Sequence, residues 1–367
     1  MESIYLQELE LENYRNFSHF KIKASNECVI IIGENGTGKT NILEAISLFS
    51  PGRGLRNAKF DEICAIGQEA WYANGLFQSK LGNAQISSQF SKSSIRRTIQ
   101  FNGSKIQNSE LCKFINIIWL TPQMENIFFE GISSRRKFFD RIVYSFYQDH
   151  ASRIHEYEYY ISERLKILQQ DLLDERWLSI IETKIADVSL KIARSRTFVL
   201  QEMQSATEEL VSEFPKSLLS IEGTIESMLD AHREEDILNH IQCQLLGLRL
   251  KDKLSGRTNF GVHRSDFLIT HKEKNKPAKL CSTGEQKAML ISVTLAQINA
   301  SLKVGSSRPI LLLDEIFVHL DDRRKEYLVY FLEKANLQSW MTATDFSGIE
   351  RLKNIATEIN IENSYPV

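Results

Sequence analysis

Residues 33–40 read Gly33-Glu34-Asn35-Gly36-Thr37-Gly38-Lys39-Thr40 and fit G-x-x-x-x-G-K-[ST] at every position. No other feature of the chain restricts its fold so tightly. In front lies Cys28-Val29-Ile30-Ile31-Ile32, an apolar run of the kind that forms a strand buried on both faces. Behind, Ile42, Leu43, Ala45, Ile46 and Phe49 recur at helical spacing until Pro51-Gly52 ends the pattern. A strand, a glycine-bearing loop and a helix in this order make a P-loop. The glycines let the backbone curl so that successive N–H groups face a phosphate, and the helix adds its positive end. The motif predicts ATP binding, with Lys39 reaching the β- and γ-phosphates and the Thr40 hydroxyl ligating Mg²⁺.

A P-loop needs an acidic partner on a neighbouring strand. The run Pro309-Ile310-Leu311-Leu312-Leu313 ends at Asp314-Glu315. Taken alone, it describes only a strand end. Beside a P-loop, Asp314 is placed to hold the metal and Glu315 to polarise the attacking water as general base. Gln123 follows another apolar strand, Ile115 to Leu120, where it could sense Mg²⁺ and that water; it also reads as an ordinary loop glutamine. Ser282-Thr283-Gly284-Glu285-Gln286 opens a helix about thirty residues ahead of Asp314. Ser282 and Gly284 could bind a phosphate there. The simpler reading is an N-cap, with Glu285 or Gln286 reaching back.

The remaining pattern is α/β interrupted by helix. Tyr72 to Asn102 alternates as a small antiparallel sheet, and Trp340 to Thr344 reads as a further strand. From Ile132 to Phe214 there is neither Gly nor Pro, and apolar residues recur in steps of three and four. This predicts an antiparallel pair of amphipathic helices, each about 35 to 40 residues. The expected organisation is an α/β lobe over 1–125, a helical insert over 126–255, and the returning α/β part over 256–367.

The formal net charge is −2, so a nucleic-acid partner would have to meet a local patch and not the whole surface. The five cysteines are odd in number and form no C-x-x-C pair, which points away from a disulfide framework or zinc site and toward a reducing compartment. No run approaches the ~18 apolar residues of a membrane span. A cytoplasmic protein without a membrane partner is expected.

The order of P-loop, glutamine, helical insert, Ser-x-Gly, acidic strand end and Leu320-Asp321 resembles the ABC-type ATPase heads. Within them the chain resembles the RecF family. The resemblance spans nearly the whole chain. It rests on Asn13-Tyr14-Arg15-Asn16-Phe17, on the P-loop through Ile46, and on Gly52-Arg53-Gly54-Leu55-Arg56. It rests further on Gly131-Ile132-Ser133-Ser134-Arg135-Arg136-Lys137-Phe138-Phe139-Asp140 and on Gly261-Val262-His263-Arg264-Ser265-Asp266. The departures are Ser133 and Val262, where Pro is usual, and Val318-His319 before Leu320-Asp321. Thr344-Asp345 stands where transporter ATPases carry a switch histidine.

The resemblance implies a two-lobed ATPase head that ATP closes into a homodimer. Ser282 and Gly284 of one copy would face the γ-phosphate held by the other, and Arg15 and Asn16 would lie by the nucleotide. It implies slow, weak DNA-dependent ATP hydrolysis in a protein that is mainly an ATP-switched DNA binder. It also implies action on gapped or single-stranded DNA with RecR and RecO, loading of recombinase, replication-fork maintenance and SOS induction. Arg135, Arg136 and Lys137, and Lys272, Lys274, Lys276 and Lys279, are candidate phosphate contacts, though each cluster also reads as a solvated face. Two alternatives stand beside this. One is the ATP-binding subunit of a membrane transporter, which calls for a switch histidine. The other is a structural ATPase of the SMC type, which calls for far longer helical arms.

Overall fold

A computed structural model describes residues 4–24, 28–79, 82–170, 174–305 and 308–361. The chain opens with β1 (Tyr5–Tyr14), β2 (Phe17–Lys23), β3 (Cys28–Ile32) and α1 (Lys39–Ser47). Then come β4 (Ala70–Ser79), β5 (Gly82–Ser91), β6 (Arg97–Phe101), β7 (Ser104–Ile106) and β8 (Ile117–Leu120). Helices α2 (Ile132–Tyr144), α3 (His150–Leu168) and α4 (Glu175–Glu209) follow, then β9 (Ser217–Glu222), α5 (Thr224–Met228), α6 (Glu234–Gly247) and α7 (Arg249–Ser255). The chain continues through β10 (Asp266–His271), β11 (Lys276–Pro277), α8 (Thr283–Lys303), β12 (Ile310–Leu313), α9 (Asp322–Ala335), β13 (Ser339–Ala343) and β14 (Ala356–Asn360).

Two compact units result. The first holds residues 1–125, 211–215 and 290–367; the second holds 126–210 and 216–289. The second unit thus runs past the boundary at 255 expected from the sequence. The reason is strand pairing: β10 lies antiparallel to β9, with Asp266 opposite Glu222 and His271 opposite Ser217, so residues 266–271 complete a sheet begun at Ser217.

The first unit contains two sheets. One is antiparallel, in the order β2-β1-β4-β5-β6-β7; the other runs β14-β3-β13-β12-β8 and is wholly parallel. The apolar runs that become β3, β12 and β8 sit within this parallel sheet, where both faces are covered. Residues of both sheets and of α1 share one core: Leu9 and Leu11 of β1, Ile42 and Ile46 of α1, Val29 and Ile31 of β3, Leu312 of β12 and Trp340 of β13. The buried Gln338 side chain, just before β13, pairs with the backbone of Leu6, accepting its N–H at 2.8 Å and donating to its carbonyl at 2.9 Å. That bond pair ties the antiparallel sheet to the parallel one through groups that would otherwise be buried without partners.

The second unit corrects the expected helix pair. Residues 132–214 form three helices, not two. α4 has 35 residues, as expected, but α3 has only 19, because residues 132–144 make the separate helix α2. Asp174 caps α4 by accepting the Trp177 N–H at 2.9 Å. Its stripe Leu178, Ile181, Ile185, Val188 and Ile192 packs with Tyr157, Ile167 and Leu168 of α3 and with Ile237, Ile241 and Leu245 of α6. Two fully buried arginines cross this core. Arg164 donates to Glu182, Asp252 and the Leu245 carbonyl. Arg196 forks onto both oxygens of Asp140, at 2.8 and 2.9 Å, and reaches Glu226 at 3.1 Å and the Val262 carbonyl at 2.8 Å. No described helix is long and apolar enough to cross a membrane.

Candidate nucleotide site

The site is assembled at the carboxyl ends of the parallel strands, where open α/β sheets bind ligands. β3 delivers the P-loop, β12 delivers Asp314, and β13 lies between them, with Met341 level with Leu313 on one side and Ile30 on the other. The loop needs glycine where φ is positive: Gly36 at 89° and Gly38 at 104°. At Gly38 a Cβ would also meet the Asn16 side-chain amide at 2.6 Å. Asn16 occupies that place because its Nδ2 donates to the Thr37 carbonyl at 3.1 Å and its Oδ1 accepts from Asn41 at 2.7 Å. The Thr37 hydroxyl closes the loop on the Glu34 carbonyl at 2.9 Å.

The start of α1 is built for an anion. A helix in isolation gains from a capping side chain and from acids in its first turn. Here Gly38 caps without a side chain, no acid stands in the first turn, and Lys39 is the first helical residue. The first-turn N–H groups cannot be satisfied within the helix. Lys39, buried, donates to the carbonyls of Gly33 at 2.5 Å and Glu34 at 2.9 Å. The result is an uncapped, positively charged helix end behind a loop closed by its own backbone, and a phosphate fits that cradle.

The Thr40 hydroxyl donates to Asp314 Oδ1 at 2.9 Å, bringing together residues 274 apart in sequence. One hydroxyl and one carboxylate are hard oxygen donors, the set that Mg²⁺ takes together with phosphate and water. Asp314 is buried, and its N–H is bound to the Leu120 carbonyl at the end of β8. Gln123, three residues beyond Leu120, is exposed on the turn that follows this strand. Glu315 is part-exposed, in a left-handed conformation with φ of 48°.

The side chains around the loop have partners of their own. The Arg15 guanidinium is held as a fork on the buried Glu44 carboxylate, at 2.8 and 2.6 Å, and on the Glu62 carbonyl at 2.8 Å. The hydrogen bonds it donates to Glu44 raise its pKa above the usual arginine value. Arg15 therefore braces α1 from below, while Asn16 braces the loop itself. Glu44 was invisible as a site residue in the sequence, since an acid in an amphipathic helix ordinarily faces water.

In the second unit, Ser282 and Gly284 are exposed at the start of α8. Ser282 forms the N-cap that its sequence allowed. Glu285 accepts from the Ser282 N–H at 2.8 Å and from its hydroxyl at 3.0 Å, and the Glu285 N–H donates back to Ser282 Oγ at 3.4 Å. A hydrogen bond from Lys274, joined by those from Ser282, holds the Glu285 carboxyl down at about 2. Asp321, beyond β12 in the first unit, caps α9 through the Arg324 N–H at 3.0 Å. Val318 is exposed, and the His319 side chain lies outside the described residues.

The basic clusters divide. Arg135 is not a free phosphate contact: it forks onto Asp266 at 2.8 and 2.7 Å. Arg136 is half-buried, donates to the Ser265 carbonyl at 3.2 Å, and has its pKa lowered by that burial. Lys137 stays exposed. Lys272 pairs with Glu208 and Lys274 with Glu285, leaving Lys276 and Lys279 exposed on the surface. The runs at 131–140 and 261–266 therefore meet each other inside one unit. Asp140 holds Arg196, Arg196 holds the Val262 carbonyl, and Arg135 holds Asp266. A proline at position 262 would offer the same carbonyl, so valine there costs the network nothing.

The chain is similar to known proteins. The family described as RecF/RecN/SMC N terminal domain matches residues 5–357. A protein of Rickettsia felis named DNA replication and repair protein RecF is 54% identical over 362 residues, 98% of this chain and 99% of that one. Its namesake in Rickettsia rickettsii is 52% identical over 98% of this chain and 100% of its own. A solved structure described as the recombination mediator protein RecF-ATP in RecFOR pathway superposes with a TM-score of 0.85 at 26% identity, covering 95% of this chain and 96% of that one. The Smc head domain of Pyrococcus furiosus shares the fold, with a TM-score of 0.55 at 16% identity over 97% of this chain and 93% of its own. With a P-loop and an acidic strand end joined on a parallel sheet, and with likeness to such relatives along almost its entire length, this chain belongs to the RecF family.

Proposed function

We propose that the chain is an ATP-switched DNA-binding protein of recombinational repair, in which ATP and Mg²⁺ close a homodimer on gapped or single-stranded DNA. The observation that carries this reading is the 2.9 Å contact between Thr40 and Asp314, which makes one site of the P-loop and the acidic strand end. Lys39 would hold the β- and γ-phosphates against the N–H groups of the loop. Mg²⁺, when bound, would supply positive charge; Thr40 and Asp314 would hold it, with Gln123 as a further candidate. Glu315 would accept a proton from the attacking water, which Gln123 helps to orient. Ser282 and Gly284 of a second copy would complete the phosphate shell, so a single copy hydrolyses slowly.

The name DNA replication and repair protein RecF, borne by the Rickettsia relatives, supports an activity in DNA replication and repair. Action with RecR and RecO to help load recombinase, maintenance of replication forks, SOS induction and a cytoplasmic location are parts of the same proposal. Lys137, Lys276 and Lys279 are the basic residues of the candidate clusters that stand exposed with no acid paired to them among the described residues.

The test is light scattering with and without ATP and gapped DNA, repeated across salt. A dimer that needs ATP and DNA affinity that falls steeply with salt are expected. A chain that stays monomeric with ATP, or binds DNA equally without it, contradicts the reading. Glu315→Gln is expected to bind ATP and remain dimeric, because water is no longer activated; rapid turnover in that variant would remove Glu315 as the base. Ser282→Arg is expected to abolish ATP-driven dimerisation while ATP affinity in the single copy stays within about twofold, the spread of an exposed substitution. Titration with a fluorescent ATP analogue beside light scattering separates the two effects.

A further inference from the structure

We infer that Thr342 is a positioning residue that couples the metal-holding acid to the general base, an inference that rests on the nucleotide site proposed above. Thr342 lies on β13, one residue past the Met341–Leu313 pairing, which sets it level with Asp314, and its register partner on the other side is Ile31 of β3. It therefore stands between the P-loop strand and the acidic strand. Its side chain is almost fully buried. Its hydroxyl makes two bonds: it donates to Asp314 Oδ1 at 2.9 Å and accepts the Glu315 N–H at 2.8 Å.

The direction of these bonds is forced. A backbone N–H can only donate, so Thr342 Oγ1 must accept from Glu315. The single hydroxyl proton is then left for the Asp314 carboxylate oxygen, which accepts it. One hydroxyl thus holds the side chain of residue 314 and the backbone of residue 315 in one arrangement. Glu315 needs such a hold, because a non-glycine residue at φ 48° is in a sparsely populated conformation. Asp314 Oδ1 has two donors, Thr40 and Thr342. Thr40 is itself a proposed metal ligand and Thr342 is not. Thr342 is therefore an anchor that orients the carboxylate without being a proposed ligand itself.

The test compares wild-type chain, Thr342→Val and Thr342→Ser. Valine keeps the branched shape and removes both hydrogen bonds; serine keeps the hydroxyl. ATP affinity is measured with Mg²⁺ and again with EDTA, hydrolysis is followed as kcat and KM, and thermal melting is recorded for each. Thr342→Val is expected to bind ATP in EDTA as wild type does, but to lose about tenfold of the affinity gained from Mg²⁺, the scale of one hydrogen bond to a charged group. Its kcat is expected to fall with KM for ATP in Mg²⁺ raised by that same factor, and Thr342→Ser is expected to restore both. A Thr342→Val protein with the full Mg²⁺ gain overturns the inference. So does a Thr342→Ser protein as impaired as the valine variant, or a valine variant whose affinity falls equally in EDTA and whose melting drops, since each assigns the residue a packing role. A wild-type chain that binds no ATP sinks the nucleotide site itself, and that outcome is told apart because it appears before any substitution is made.

Discussion

Lys39→Ala is expected to weaken ATP binding by about 3 kcal/mol, roughly a hundredfold, the upper range for hydrogen bonds to a charged group. Two losses combine. The ammonium belongs to the first residue of α1, at its uncapped start, so the variant removes charge that would face the phosphates. It also removes the bonds from Nζ to the carbonyls of Gly33 and Glu34, which hold the loop across its own mouth. The second loss makes a separate signal: amide exchange across residues 33–38 should quicken even without nucleotide. Lys39→Arg keeps the charge but brings a planar fork too bulky for a pocket shaped around an ammonium, so it should fall between the two. Calorimetric titration with ATP reads the affinity, and light scattering reads the dimer that depends on it. Unchanged affinity in Lys39→Ala would show that the phosphates bind elsewhere.

The second large effect is structural. Arg196→Leu is expected to destabilise the second unit by about 3–5 kcal/mol at pH 7, because it leaves buried acids without their partner. Arg196 is almost fully buried and carries both Asp140 and Glu226. For Asp140, burial pushes the carboxyl pKa up, but the charge of Arg196 and the hydrogen bonds from His150 and Arg196 outweigh it and hold the group well below the usual carboxylate range. A carboxyl depressed in the folded state contributes stability that is present above its unfolded pKa, near ~3.9, and is lost as pH falls through the folded value. In the variant the charge and hydrogen bonds of Arg196 are gone, burial raises the carboxyl, and each proton it takes up relieves the deficit by at most about 1.4 kcal/mol per pH unit. The deficit should therefore shrink as pH falls toward ~4. Urea melts at pH 7 and pH 4, with amide exchange in α4 to confine the loss to this unit, measure it. A deficit that is the same at both pH values would assign the role of Arg196 to packing instead.

The P-loop was legible because it is local. Eight consecutive residues, the apolar run before them and the helical spacing after them specify backbone curl, phosphate cradle and direction of entry without reference to the rest of the chain. Asp314 and Glu315 were legible only through it, since an acid ending a strand means little alone. The shortening of α3 was hidden because the apolar spacing continues from α2 into α3 without Gly or Pro to punctuate it. The fate of Arg135 was hidden for a different reason. A run of basic residues looks the same whether it faces DNA or a carboxylate, and its partner Asp266 is 131 residues away.

What the sequence determined by itself is the chemistry that neighbouring residues can express: the P-loop, the strand-end acids, the N-cap at Ser282 and the α/β class. What only the tertiary structure decided is pairing. Arg15 was assigned to Glu44, Arg196 to Asp140, and Thr342 to both Asp314 and Glu315. The physical reason is that a buried polar group must find a partner wherever the strands and helices bring one within about 3 Å, and that distance depends on topology, not on spacing along the chain.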